Sequence, residues 1–133
     1  MFFLRDWIIE AKKQFEKLDR VDIGDDQIGK LLSYSPKGKD GLWPHESVRD
    51  ILEEFLTENM KIGFQIGKQN QRGVTSRAFD DGGEQEYELA QKYYDSAEKL
   101  VLSYQRTSKI LKDLGDNYHL QAKSEDERVE IER

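Results

Sequence analysis

The sequence predicts an all-α fold: a single compact domain of four main helices and one short helix, packed as a bundle or orthogonally. Apolar residues recur at steps of three and four along most of the chain, and only two prolines interrupt its 133 residues. Charged residues make up 36%, as many as the hydrophobic ones, which suits amphipathic helices with solvated outer faces. A chain of this length is one domain by size and buries roughly two-thirds of its unfolded surface. The expected organisation is therefore one helical domain over 1–122, followed by a charged tail over 123–133 that frays.

The first helix is expected over about 2–20. Leu4, Ile8, Ala11, Phe15 and Leu18 share one face, and Lys12, Lys13, Glu16 and Lys17 fill the other. A short second helix follows, capped by Asp25 or Asp26 and holding Ile28, Leu31 and Leu32. It must stop near Ser35, because Pro36 disfavours helical geometry in the residue before it.

Pro44 suits the first turn of a third helix, where a missing N–H costs nothing, and Glu46 lies where the helix dipole favours an anion. The stripe Val48, Ile51, Leu52, Phe55, Leu56, Met60, Gly63, Ile66 and Gly67 then reads as one continuous helix to Gln69, about seven turns long. Tyr87, Ala90, Tyr94, Ala97 and Tyr104 mark a fourth helix, and Ile110, Leu111, Leu114, Tyr118 and Ala122 a fifth. Leu89-Ala90-x-x-Tyr93-x-x-x-Ala97 recurs as Leu114-Gly115-x-x-Tyr118-x-x-x-Ala122, so these two helices read as matched halves of an antiparallel hairpin, with small residues making room for tyrosines.

The formal charge of −6 argues against a protein that coats nucleic acid, since phosphate binding draws on clustered Lys and Arg. Zero cysteines exclude disulfide and thiolate chemistry, which fits a reducing cytoplasm. The apolar opening Met1 to Ile9 is broken by Arg5 and Asp6, so no membrane segment is expected there. Its abrupt start reads as equally compatible with an excised piece of a longer protein.

The segment most specified for something beyond packing lies between the third and fourth helices. Gly63 and Gly67, four apart on one helical face, remove side chains where a neighbouring backbone can approach, and are read as helix-packing residues. Gly63 to Lys68 is not a phosphate-binding P-loop, because three residues separate the glycines and Gln69 stands where a magnesium-holding hydroxyl belongs. Lys61, Lys68, Arg72 and Arg77 form a basic patch in an otherwise acidic chain. With Thr75 and Ser76, Lys68, Arg72 and Arg77 are candidate anion ligands for a phosphate or carboxylate. The favoured reading is structural: the arginines pair with Asp80, Asp81, Glu84 and Glu86, while Gly73, Gly82 and Gly83 shape the turn that launches the fourth helix.

Other chemistry finds little purchase. His45 and His119 are the only histidines, and a zinc site would need carboxylates brought from elsewhere. Asp116 and His119 share a helical face and are expected to form a local surface hydrogen bond. No Gly-x-Ser-x-Gly nucleophile motif occurs. Neither metal nor cofactor is expected, and the tryptophans and tyrosines are read as core more than as base-stacking surfaces.

The run Gly63-x-x-x-Gly67-x-x-Asn70-x-Arg72-Gly73-Val74-Thr75-x-Arg77, continued by Gly82-Gly83-x-Gln85-Glu86-x-x-Leu89-Ala90-x-x-Tyr93-x-x-x-Ala97, resembles a helical region at the C-terminal end of large uncharacterised bacterial proteins. Trp43-Pro44 and Arg106-Thr107 fit the same pattern, and the likeness spans roughly 43–122. It implies a bacterial origin and a domain that works attached to others. The resulting expectation is a non-enzymatic interaction module that binds a protein partner, the domains of a parent chain or a second copy of itself, with neither membrane nor nucleic acid as its target. The alternative is phosphate, nucleotide or nucleic-acid-end binding through the basic loop 68–77.

Overall fold

A computed structural model describes residues 4–71 and 83–132, and these residues form helices and connecting turns with no strand among them. The helices are α1 (Leu4–Lys17), α2 (Val21–Leu32), α3 (Glu46–Phe55), α4 (Glu58–Gln71), α5 (Glu84–Leu100) and α6 (Gln105–Glu132). The all-helical expectation holds, but among the described residues six helices replace the four main and one short. The chain divides into two compact units, Met1–Gly73 and Val74–Arg133, and each is described by itself.

In the first unit, α1 stops at Lys17 instead of continuing to 20. Asp19 takes a left-handed conformation at φ 56°, Asp19 N donates to Glu16 O at 3.1 Å, and Arg20 N donates to Phe15 O at 2.9 Å. This reversal satisfies carbonyls that the helix end leaves open. It lets α2 begin at Val21, four residues before the expected caps, so Asp25 is 4% exposed inside a helix instead of opening one. Leu18 and Leu31, assigned to buried stripes, are 65% and 56% exposed. Trp7 is likewise exposed, and the core of this unit is built around Ile8, Ile28, Leu52, Met60 and Phe64.

The expected continuous third helix is two helices. Leu56 turns extended at φ −56°, ψ 127°, and the Thr57 hydroxyl accepts from Met60 N at 3.2 Å, an N-terminal cap for α4. The same hydroxyl donates to Asp25 Oδ2 at 2.8 Å, and Lys12 Nζ donates to Asp25 Oδ1 at 2.9 Å, so one buried carboxylate joins α1, α2 and the break. Pro44 lies outside α3, which opens at Glu46 behind a His45 cap whose Nδ1 accepts from Ser47 N at 3.1 Å.

Helices α2 and α4 run side by side in the same direction, since Asp26 lies against Gly63 and Ser33 against Gly67. A Cβ on Gly63 would strike the Asp26 carbonyl, and one on Gly29 the Met60 carbonyl. Backbone meets backbone along this seam, which only residues without a Cβ permit.

In the second unit, α5 and α6 form an antiparallel hairpin. Gly83 N donates to Asp126 Oδ1 at 2.8 Å at one end, and Ser108 Oγ donates to Ala97 O at 2.6 Å near the other. Tyr93 stacks on Tyr118 with centroids 5.6 Å apart, and Gly115 leaves room for the Tyr94 ring. The tail expected to fray from 123 is helical to Glu132, and Val129 is 6% exposed. Once α6 carries this far, Val129 shares the buried side with Tyr118 and Ala122, at helical steps of seven and eleven.

Candidate functional site

The turn between α2 and α3, residues 33–45, is built from two glycines, a proline at each end and little apolar surface, so side chains must hold it. Arg49 does this from α3. Its guanidinium is 1% exposed, donates from Nη1 and Nη2 to the two Asp40 carboxylate oxygens at 2.8 Å each, and reaches the Leu42 carbonyl at 2.8 Å and the Pro44 carbonyl at 2.7 Å. The paired donors match the planar carboxylate, a geometry lysine cannot reproduce. The Arg49 hydrogen bonds, helped by the Leu42 amide, hold the Asp40 carboxyl down to about 2. Glu46 accepts from the Lys39 amide at 3.2 Å and is also held below the usual carboxylate range, chiefly by its own backbone N–H.

The anchored turn presents Trp43. Its indole N–H donates to Ser35 O at 2.8 Å, and its ring stacks on Phe64 at 5.1 Å and 18°. Lys68, one helical turn beyond Phe64 on α4, places Nζ 4.3 Å from the Trp43 ring centroid. Burial pushes the Lys68 amine below its ordinary value, and the nearby charge of Lys37 pushes it further. Among the described residues neither Lys37 nor Lys68 forms an ion pair with a carboxylate.

Of the residues the sequence singles out, Lys68 is the one anion candidate the structure describes. Arg72, Thr75, Ser76 and Arg77 lie outside the described residues, as do Gly73, Asp80, Asp81 and Gly82. Gly63 and Gly67 line the α2–α4 seam. Gly83 opens α5 with no room for a Cβ beside Ala122, Glu84 is exposed on the first turn, and Glu86 is 2% exposed. The expected Asp116–His119 pair is absent among the described hydrogen bonds. Tyr94 donates its hydroxyl to Asp116 at 2.6 Å, and His119 meets the Tyr87 ring edge-on at 5.4 Å, because both side chains reach across to α5.

Arg49, Asp40 and the platform role of Trp43 are absent from the sequence-based candidates. Nothing in their spacing announces them. The accessible clue is Trp43-Pro44, a bulky aromatic in a turn whose other residues are polar or small.

A second concavity, about 600 Å³, lies along α5 and α6 and is lined by Ala97 and Val101 together with Glu98, Lys109, Lys112 and Asp116. Among the described residues no three His, Asp or Glu side chains gather as metal ligands, and no helix is long and apolar enough to cross a membrane. Set against family models, curated proteins and solved structures, the chain matches none of them.

Proposed function

We propose that this chain is a non-enzymatic helical interaction module that binds another polypeptide along the α5–α6 groove. The groove itself carries the reading: a concavity of about 600 Å³ with Ala97 and half-exposed Val101 at an apolar strip, bordered by charges of both signs. A helix laid in such a strip buries apolar area while its own charges find Glu98 on α5 and Lys109, Lys112 and Asp116 on α6. Leu102, 92% exposed at the turn beside the groove, extends the apolar surface a partner can cover. The resemblance to C-terminal regions of large bacterial proteins supports the same role, since it implies a domain that works attached to others.

The test places a photo-activatable cross-linker at Gln105 and compares the wild-type chain with Val101→Arg, alongside light scattering over a wide concentration range. Binding through the groove gives either a concentration-dependent doubling of mass or one recurrent cross-linked polypeptide, each lost in the variant. A chain that stays monomeric and cross-links nothing reproducibly refutes the proposal.

The second reading, phosphate or nucleotide binding through 68–77, takes its support from Lys68, a half-buried cation without a carboxylate partner among the described residues.

A further inference from the structure

We infer that the partner in the α5–α6 groove is a second copy of this chain, its α6 lying antiparallel to the first about a two-fold axis between Lys112 and Asp113. The inference rests on the groove reading above and narrows its partner to one polypeptide.

Gln105, Lys109, Lys112, Asp116 and Leu120 follow at helical steps of three and four along α6, so they form one stripe, and Asp113 sits beside it. Lys109, Lys112 and Asp116 are exposed, Asp113 is half-buried, and all four line the groove. From the N-terminal end these charges run plus, plus, minus, minus. Turned end for end, the order is minus, minus, plus, plus. An identical helix laid antiparallel therefore sets Lys109 against Asp116 of the second copy and Lys112 against Asp113 of the second copy, and the symmetry repeats both pairs. A parallel copy in register would set like charges against like, which is costly at an interface. Asp116 already accepts the Tyr94 hydroxyl, which holds its carboxylate at the groove edge, and a carboxylate accepts several hydrogen bonds at once.

The apolar residues obey the same axis. Gln105 and Leu120 lie equally far on either side of the Lys112–Asp113 midpoint, as Lys109 and Asp116 do. Leu120, 63% exposed, is thus brought to the Gln105 end of the second copy's groove, where Val101 lines the wall and Leu102 is exposed at the turn. Charge and apolar positions are separate features of the sequence, and both select one register. Exposed ion pairs contribute little each, so the charges fix direction and register while burial of Leu120 against Val101 and Leu102 drives association. The stripe is about 22 Å long at 1.5 Å per residue. One helix pair of that length falls short of a standard interface, so the dimer is expected to be weak and to require concentrated protein.

The experiment uses the full chain. Light scattering over a wide concentration range reads the mass of wild type, of the double reversals Lys109→Glu with Lys112→Glu and Asp113→Lys with Asp116→Lys, and of an equal mixture of the two reversals. Wild type is expected to double in mass as concentration rises, and each reversal alone to weaken self-association at least about a hundredfold, since like charges then face each other. The mixture is expected to recover the dimer, because the two altered charge orders complement each other, and that recovery also shows both variants folded. Leu120→Arg, at an exposed position, gives an independent loss. Direction is read by cross-linking, since the chain has no cysteine of its own. A short bifunctional thiol reagent should join Gln105→Cys chains to Leu120→Cys chains and leave Gln105→Cys chains unjoined to one another. A dimer indifferent to the reversals and to Leu120→Arg, or one that joins Gln105→Cys to itself, overturns the proposal. So does a chain that stays monomeric throughout. If the photo-activatable group at Gln105 then still captures one different polypeptide, lost in Val101→Arg, the groove reading survives and only the second copy is excluded.

Discussion

Arg49 binds Asp40 through two parallel hydrogen bonds of 2.8 Å, although the arginine is 1% exposed and the aspartate side chain 43%. The cation is therefore the desolvated member, and the aspartate closes its cage from the solvent side. Asp40 titrates at about 2 in the folded chain, below its ordinary 3.8, so the contribution of the pair is complete above pH 4 and fades as the pH falls from 4 toward 2. Asp40→Asn is expected to cost about 1–3 kcal/mol at pH 7, because the buried guanidinium then loses the carboxylate that binds it through two hydrogen bonds. Urea unfolding from pH 7 to 2.5 checks this: the gap between wild type and variant should narrow through the acid range. A gap that is constant with pH excludes the charge as the cause.

Gly63 faces the Asp26 carbonyl with no space for a methyl group. Gly63→Ala improves intrinsic helix propensity by about 1 kcal/mol but drives a Cβ into backbone, and such overpacking costs about 1–3 kcal/mol. The steric effect wins because the obstacle is a main-chain oxygen that cannot rotate aside. Chemical denaturation should show a net loss of stability; a gain would mean that α2 and α4 are not packed backbone to backbone.

The helical class and the α5–α6 pairing were legible because both rest on local periodicity. Tyr93, Tyr118, Ala97 and Gly115 fall on matching faces of two strongly periodic segments, and the structure packs them together. The break at Leu56–Thr57 was hidden because the apolar stripe runs on through it. Thr57 followed by Glu58 is a cap signature, yet only its bond to Asp25, 32 positions earlier, makes the cap worth more than an unbroken helix. The contact of Lys68 with the Trp43 ring was illegible for the same reason. It depends on a turn closed by Arg49, and no spacing rule joins a tryptophan at 43 to a lysine at 68.

Tyr94 donates to Asp116 at 2.6 Å across the hairpin, and that hydrogen bond, with a smaller share from burial, pushes the phenol up to about 12. A raised folded-state value means that the protonated phenol is the form the fold favours. Its contribution is complete below pH 10 and lost as the pH rises from 10 toward 12. Spectrophotometric titration should show one tyrosine returning toward ordinary ionisation in Asp116→Asn. An unchanged titration curve would detach the shift from the hydrogen bond.

The C-terminal stretch supplies the last test, because its charge alone argues for fraying while its contacts argue for order. Gly83 has no side chain to cap α5, and Asp126, from the far end of α6, accepts its amide hydrogen at 2.8 Å. Val129, one turn further on, is 6% exposed. Asp126→Ala is expected to cost about 1 kcal/mol, the usual worth of a helix-terminal hydrogen bond. Val129→Asp should cost about 2 kcal/mol or more, since burying that side chain is worth roughly 1.5–3 kcal/mol and the carboxylate cannot stay charged there. Hydrogen exchange reads the outcome at the amides of Glu86 and Tyr87 as well as in the tail. If α6 clasps the start of α5, both substitutions speed exchange at both places, whereas a merely solvated tail would let Val129→Asp pass without trace at α5.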